Sequence, residues 1–152
     1  NDDPRSDVEL RQICARLLPG DAQEEEALAR FESARSSKAL AHLFVEPETE
    51  YRLATERMFD VEITDLDRDP MCWRGTIDRL LLRMEKDAVI GAQIVDFKTE
   101  PASDGAEIVR RHRAQLEDYR RAVGELFELD EASVECQIVW LPGAGLEAVL
   151  TV

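Results

Sequence analysis

Cysteine is scarce in this 152-residue sequence, and its three cysteines are too far apart to form a shared site by spacing. Cys14, Cys72 and Cys136 contain no Cys-x-x-Cys pair, which argues against a zinc ribbon or an iron–sulfur cluster built by this chain alone. We therefore predict reduced, mostly buried thiols in a cytoplasmic protein.

Long apolar segments and nucleotide-binding loops are also missing. No apolar run approaches the roughly 20 residues that a membrane-spanning helix needs, so we expect no membrane partner. The chain opens Asn-Asp-Asp-Pro-Arg, without the basic start and the apolar segment of a signal peptide. Because this opening also lacks Met, we expect the chain to be a piece of a longer protein. Without a Gly-x-x-x-x-Gly-Lys-Ser/Thr loop, this piece should not bind ATP.

Basic residues are outnumbered, with 19 Lys and Arg against 33 Asp and Glu and a formal net charge of −14. This balance argues against a domain that coats nucleic acid. It is weaker evidence against DNA cleavage, because a catalytic channel needs only local cations and other domains can supply further contacts. The length and the 44% hydrophobic content indicate one globular domain with a substantial core.

The sequence does contain a predicted β-hairpin from Trp73 to Lys98. Both arms have the apolar and β-branched bias of strands, and Lys86, Asp87 and Gly91 are the predicted turn residues between them. Helices are predicted at 7–18, 21–44 and 107–127, and a break at Ser36-Ser37 is the alternative that would divide the second into two. Further strands are predicted at 51–63, 134–141 and 146–152. This order favours an α/β (α+β) fold, with a mixed central β-sheet flanked by helices.

Two carboxylates and an amine interrupt the apolar hairpin. Asp78 lies on one arm and Asp96 and Lys98 on the other, and strand alternation points Asp96 and Lys98 the same way. Phe97 should point to the opposite side, into apolar packing. The two carboxylates suit Mg²⁺ or Mn²⁺, the backbone carbonyl of Phe97 is a candidate third ligand, and Lys98 suits a phosphate or an attacking water. The alternative is a surface strand with a solvated ion pair.

These residues belong to an ordered set of motifs that covers residues 50–125. The set comprises Glu56, Gly75-Thr76-Ile77-Asp78-Arg79-Leu80, Val95-Asp96-Phe97-Lys98-Thr99 and Gln115-Leu116-Glu117-Asp118-Tyr119. It resembles the RecB-like nuclease domains of the PD-(D/E)xK superfamily, and most closely the C-terminal nuclease domain of AddA-type helicase–nucleases of the UvrD/RecB class.

The resemblance implies a restriction-endonuclease-like core and a role for each matched residue. Asp78 and Asp96 correspond to metal ligands, Lys98 to the catalytic lysine, and Gln115 and Tyr119 to the helix residues that face the site. Glu56 corresponds to an acidic residue of the family that precedes the core strands.

The resemblance also implies a biological setting. The chain would be one RecB-like nuclease domain, with residues 1–48 as a helical lead-in and 50–152 as the catalytic core. It would act as a Mg²⁺-dependent exonuclease on DNA ends, and on single strands after unwinding, in double-strand break repair and recombination. ATP would be used by helicase domains of the parent chain, with an AddB-type second subunit as partner. The rival hypothesis is an inactive nuclease fold that docks protein or DNA.

One departure concerns histidine. The family's metal-binding His lies in a Gly-x-x-x-His setting that His42 lacks, so we expect that ligand upstream of residue 1 and His42 to pack or face solvent. His112 shares a predicted helix face with Gln115 and Tyr119, and Arg111 adds to a basic helix surface. Both are predicted DNA contacts, with ordinary packing and solvation as the alternatives. Arg79 is expected to pair with an acidic surface group.

Overall fold

The computed structural model describes residues 50–63, 71–141 and 148–152, with scattered single positions between residues 25 and 43. The predicted helix 7–18, His42 and Cys14 lie outside the described residues. Within the predicted segment 21–44, Ser36 is helical and Ser37 is not, which supports the alternative with a break there. Leu40 and Leu43, further along, are buried.

Five strands of the described chain form one mixed sheet. In spatial order they are β1 (Tyr51–Ile63), β2 (Met71–Glu85), β3 (Ala88–Lys98), β4 (Val134–Trp140) and β5 (Ala148–Thr151). All neighbours are antiparallel except β3 and β4, which are parallel. Parallel neighbours need a crossover, and helix α1 (Gly105–Phe127) provides it. The predicted fold class and the element order after residue 50 are therefore confirmed.

The predicted hairpin is present as β2 and β3, joined by a turn at Lys86 and Asp87. Lys86 has a φ of 55°, the left-handed conformation that a tight turn requires. The prediction that Gly91 belongs to the turn is wrong, because Gly91 lies inside β3 and is buried. A Cβ there would lie 3.2 Å from the guanidinium of Arg83, its partner on β2, and 3.4 Å from the carbonyl oxygen of Ser133.

Helix α1 covers one face of the sheet with an apolar stripe. Its buried side chains pack against strand residues in a single core, which includes Ile108, Leu116, Ala122, Val123, Leu80, Ile94 and Ile138. The helix starts at a reciprocal cap. The Asp104 carboxylate accepts the backbone N–H of Glu107 at 2.8 Å, and the Glu107 carboxylate accepts the N–H and hydroxyl of Ser103, each at 2.7 Å. This cap fixes where the helix begins relative to the end of β3.

The cysteine prediction holds for one of the two described thiols. Cys136 in β4 is 1% exposed within the core, and burial raises the pKa of its thiol. Cys72 is exposed, so its predicted burial is wrong. It lies on β2 opposite the edge strand β1, where its thiol donates to a carboxylate oxygen of Asp60 at 2.7 Å.

Candidate active site

The candidate site lies where β2 and β3 part. Their ladder runs from Glu85 and Ala88 at the turn to Arg79 and Val95. Beyond that pair, the Asp78 carboxylate accepts the backbone N–H of Phe97 at 2.8 Å, which places this carboxylate against the end of β3. The structure therefore brings Asp78 beside the segment that carries Asp96 and Lys98, as the hairpin prediction required.

Asp96 is an acid held almost out of contact with water, at 2% exposure. Its Oδ2 atom forms an ion pair with the Nζ of Lys98 at 2.6 Å. Burial raises the pKa of Asp96; Lys98 opposes that shift, and the nearby negative charge of Asp78 adds to it. The two carboxylates are thus close enough to repel each other.

Lys98 begins a chain of hydrogen bonds that crosses from the sheet to α1. Its Nζ donates to Gln115 Oε1 at 3.3 Å, and Gln115 Nε2 donates to the Tyr119 hydroxyl at 2.8 Å. The Tyr119 hydroxyl then donates to the backbone carbonyl of Thr76 at 3.0 Å. Because Gln115 and Tyr119 are one helical turn apart, both reach the same strand end. The predicted grouping of Lys98, Gln115 and Tyr119 is present in the structure.

Glu56 lies in β1 beside the site but is not gathered into it. The pairs Thr55–Arg79 and Arg57–Ile77 bracket it, so its position in the register is opposite Asp78. Glu56 itself has a φ of 49°, which interrupts the regular strand there, and its side chain is exposed. The structure thus places a third acid on the strand next to Asp78, with its carboxylate in solvent.

Two expectations about neighbouring side chains are wrong. The Phe97 side chain is 37% exposed rather than packed in an apolar core, whereas its neighbour Asp96 is the buried one. Arg79 is 8% exposed rather than a surface partner of an acid, its Nε has no hydrogen bond among the described residues, and burial lowers its pKa. Both errors arise because alternation says which side chains share a face, but not how completely each face is covered.

Glu100 is a residue at the site that the sequence analysis missed. Its carboxylate lies 2.7 Å from His112 Nε2, and its backbone carbonyl accepts the indole N–H of Trp140 at 2.9 Å. The hydrogen bond from His112 lowers the pKa of Glu100. The signal was present in the sequence, because Glu100 continues the two-residue spacing of Asp96 and Lys98 just past the end of β3.

The arginines of α1 are largely paired within the protein. Arg111 donates to the backbone carbonyl of Pro101 at 3.1 Å and forms ion pairs with Glu107 and Glu100. Arg120 donates to the backbone carbonyls of Val134 and Val152, which supports a structural role. His112 has an 18% exposed side chain and contributes to the electrostatics of Asp96. Of the two predicted DNA contacts, His112 is the one bonded to Glu100, and it lies three residues from Gln115 on the helix.

The residues at this site fit a divalent cation. Asp78 has one oxygen outside its bond to Phe97, and the negative charge of Asp78 acts on the buried Asp96 carboxylate. Two neighbouring carboxylates in a partly buried place repel each other, and a divalent cation between them would relieve that repulsion. No group of three or more His, Cys, Asp or Glu side chains in the described residues forms a metal-binding cluster. The backbone carbonyl of Phe97 stays the candidate third ligand at this strand end.

The described chain has no helix that is both long and apolar enough to cross a membrane. No curated protein matches this sequence. The profile of the PD-(D/E)XK nuclease superfamily matches residues 1–145, which is nearly the whole chain. That match agrees with the five-stranded mixed sheet, with its parallel pair bridged by a helix, and with the Asp-Phe-Lys segment at the end of β3. The chain therefore belongs to the PD-(D/E)XK nuclease superfamily.

Proposed function

We propose that this protein is a Mg²⁺- or Mn²⁺-dependent deoxyribonuclease whose site is formed by Asp78, Asp96 and Lys98. The single observation that carries the proposal is the environment of Asp96. This carboxylate is only 2% exposed, and burial raises its pKa. It pairs with Lys98, which also contacts Gln115 on the helix. Keeping a charged pair buried in this way is costly if it serves structure alone. Such cost is common where a carboxylate serves catalysis.

Each residue has a definable task in hydrolysis of a phosphodiester. Asp78 and Asp96, with the backbone carbonyl of Phe97, would hold the cation, which when bound neutralises phosphate charge and activates water. Lys98, positioned between Asp96 and Gln115, supplies a positive charge beside the metal ligands, where it can orient the attacking water or stabilise the negative charge that develops in the transition state. Gln115 and Tyr119 limit the positions that the lysine can adopt.

We further propose that the domain is the exonuclease module of an AddA-like, ATP-dependent helicase–nuclease that processes DNA ends in the cytoplasm during double-strand break repair. The support is the ordered motif set from Glu56 to Tyr119. In that setting helicase domains of the parent chain deliver unwound single strands, and an AddB-type subunit completes the complex. A net charge of −14 also favours substrate delivery by other domains.

Cleavage by the full-length protein tests this function. With Mg²⁺ or Mn²⁺ the wild type should degrade linear double-stranded DNA and leave covalently closed circles intact. Asp96→Asn and Lys98→Ala should each lower the rate by at least about 100-fold, which corresponds to roughly 2.7 kcal/mol of lost transition-state stabilisation.

Two controls separate catalysis from docking. Asp87→Asn removes one carboxylate at the exposed hairpin turn, distant from the site, and should leave cleavage unchanged. ATP hydrolysis by the parent protein should survive Lys98→Ala if the motor lies elsewhere. Full nuclease activity in both Asp96→Asn and Lys98→Ala would reject the catalytic proposal and favour the docking hypothesis.

A further inference from the structure

Two rows of polar side chains face each other at the end of the sheet. One row continues along and just beyond β3 as Asp96, Lys98 and Glu100; the other lies on α1 and includes His112 and Gln115. Lys98 contacts Gln115, and Glu100 contacts His112 one step further out. The Glu100–His112 pair therefore lies next to the Lys98–Gln115 pair, on the same surface.

The Glu100–His112 pair is held in place from several sides. Trp140 Nε1 donates to the Glu100 backbone carbonyl at 2.9 Å, and Arg111 lies 3.8 Å from the Glu100 carboxylate while also bonding the carbonyl of Pro101. These contacts fix the loop that follows β3. The imidazole is oriented through Nε2, which leaves Nδ1 without a hydrogen bond among the described residues.

The pair does not fit a metal ligand or a packing role well. His112 influences the charge on Asp96 but does not join Asp78 and Asp96 in any metal-binding group of three among the described side chains. A packing histidine would not need an oriented carboxylate partner. A ring held this way, one helical turn from Gln115 and with 18% of its side chain exposed, is placed to contact an anion beside the reacting group.

We propose that His112, positioned by Glu100, binds the DNA backbone phosphate adjacent to the scissile one. This inference rests on the proposed nuclease function. One turn of α1 separates His112 from Gln115, which contacts Lys98, so the two side chains lie at successive positions along the same helix face beside the proposed reacting group. In this arrangement His112 touches substrate, and Glu100 is a positioning residue that acts through the ring.

The first experiment measures steady-state cleavage and its salt dependence in His112→Gln. Loss of one phosphate contact should raise KM about tenfold with little change in kcat, as expected for a charge-assisted hydrogen bond. The slope of log KM against log salt concentration should fall by about 0.7 to 0.9, the value for one phosphate contact. His112→Lys should restore much of the slope. Mn²⁺ binding, followed by calorimetry, should be unchanged in His112→Gln.

Glu100 is tested by coupling. Glu100→Gln should raise KM in the wild-type background and have no further effect in His112→Gln, because its contribution passes through the ring. Arg121→Gln is the matched control, since it removes one positive charge from the far end of the same helix, where Arg121 lies 3.8 Å from Glu131. It should alter neither KM nor the slope.

The possible results separate the phosphate contact of His112 from the proposed nuclease function. Unchanged KM and slope in His112→Gln, with cleavage otherwise normal, would overturn the phosphate contact and leave the nuclease proposal standing. Loss of Mn²⁺ binding in His112→Gln would overturn it in favour of metal ligation, and an equal loss of slope in Arg121→Gln would overturn it in favour of general charge. Absence of metal-dependent cleavage in the wild type would reject both proposals.

Discussion

The Tyr119 hydroxyl connects the helix, the lysine network and the sheet. Tyr119→Phe removes the donor to the Thr76 carbonyl and the acceptor for Gln115, while keeping the ring against the core. We expect a loss of about 1 kcal/mol in the free energy of unfolding, measured by denaturant titration. We also expect kcat for DNA cleavage to fall about tenfold, equivalent to about 1.4 kcal/mol, because Gln115 no longer holds Lys98.

Coupling tells whether this effect passes through the network. Gln115→Ala should lower kcat by a similar factor, and the double variant should lose less than the product of the two single losses. Independent, fully multiplicative losses would mean that the hydrogen-bond chain from Tyr119 to Lys98 does not act as a unit.

Which residues share the site was predictable, whereas how deeply each lies was not. Strand alternation puts Asp96 and Lys98 on one face of the sheet, and helix periodicity puts Gln115 and Tyr119 on one face of the helix. Each of these two pairings therefore follows from the sequence. Burial depends on which tertiary neighbours cover each face. That is why Asp96 is buried and Phe97 exposed, in the reverse of what polarity alone would favour.

The start of α1 carries a pH-dependent contribution to stability. Hydrogen bonds from Ser103 and the charge of Arg111 lower the pKa of Glu107 from its ordinary value of 4.5 to about 2. Because the folded-state pKa is the lower one, the stabilisation is present above about pH 4.5 and is lost as the pH falls towards 2. The free energy of unfolding should therefore fall less for Glu107→Gln than for the wild type between about pH 5 and pH 2.5.

Glu117→Gln is the matched control for this comparison. It removes a carboxylate from the same helix, where the contact with Arg113 is an exposed one of 4.0 Å, and it should preserve the wild-type dependence on pH. A Glu107→Gln variant with the full acid sensitivity of the wild type would show that the cap does not contribute in this range.

Gly75 sets how closely β2 approaches α1. A Cβ at this position would lie 2.9 Å from the Phe59 ring and 3.1 Å from the Tyr119 ring, which are stacked edge to face. We expect Gly75→Ala to destabilise the fold by about 1–3 kcal/mol through overpacking, measured by denaturant unfolding. Combining it with Phe59→Leu should recover part of the loss relative to the sum of the single variants. Strict additivity would show that Phe59 is not the obstacle.

The elements themselves were largely predictable because their patterns are local. The alternating and helical stripes gave β1 to β5 and α1 to within a few residues, as the bounds Gly105–Phe127 illustrate against a predicted 107–127. The position of Gly91 was not predictable, since glycine favours turns in general and only the pairing of Gly91 with Arg83 shows that the turn ends before it. Glu100 was not predicted as a site residue because it lies beyond the end of β3, where the two-residue alternation of a strand is no longer expected.

At the level of the whole molecule, an excess of acidic charge must be separated from a specific cation site. The chain carries a net charge of −14, so any divalent salt will weakly screen its self-repulsion and raise stability without a site. A specific ion held by Asp78 and Asp96 adds a further term that depends on those two carboxylates. At 100 times its dissociation constant, the ion would contribute about 2.7 kcal/mol to the free energy of unfolding.

We therefore predict that Mn²⁺ or Mg²⁺, added at constant ionic strength, raises the thermal midpoint of the wild type and of Asp87→Asn but not that of Asp96→Asn. Asp87→Asn is the appropriate control because it removes the same charge from the same hairpin, at the exposed turn rather than at the site. Differential scanning calorimetry with and without the cation gives the comparison, and it needs no nuclease activity. Equal shifts in all three proteins would mean that the cation acts by general screening, and the metal site proposed at the end of β3 would then have to be abandoned.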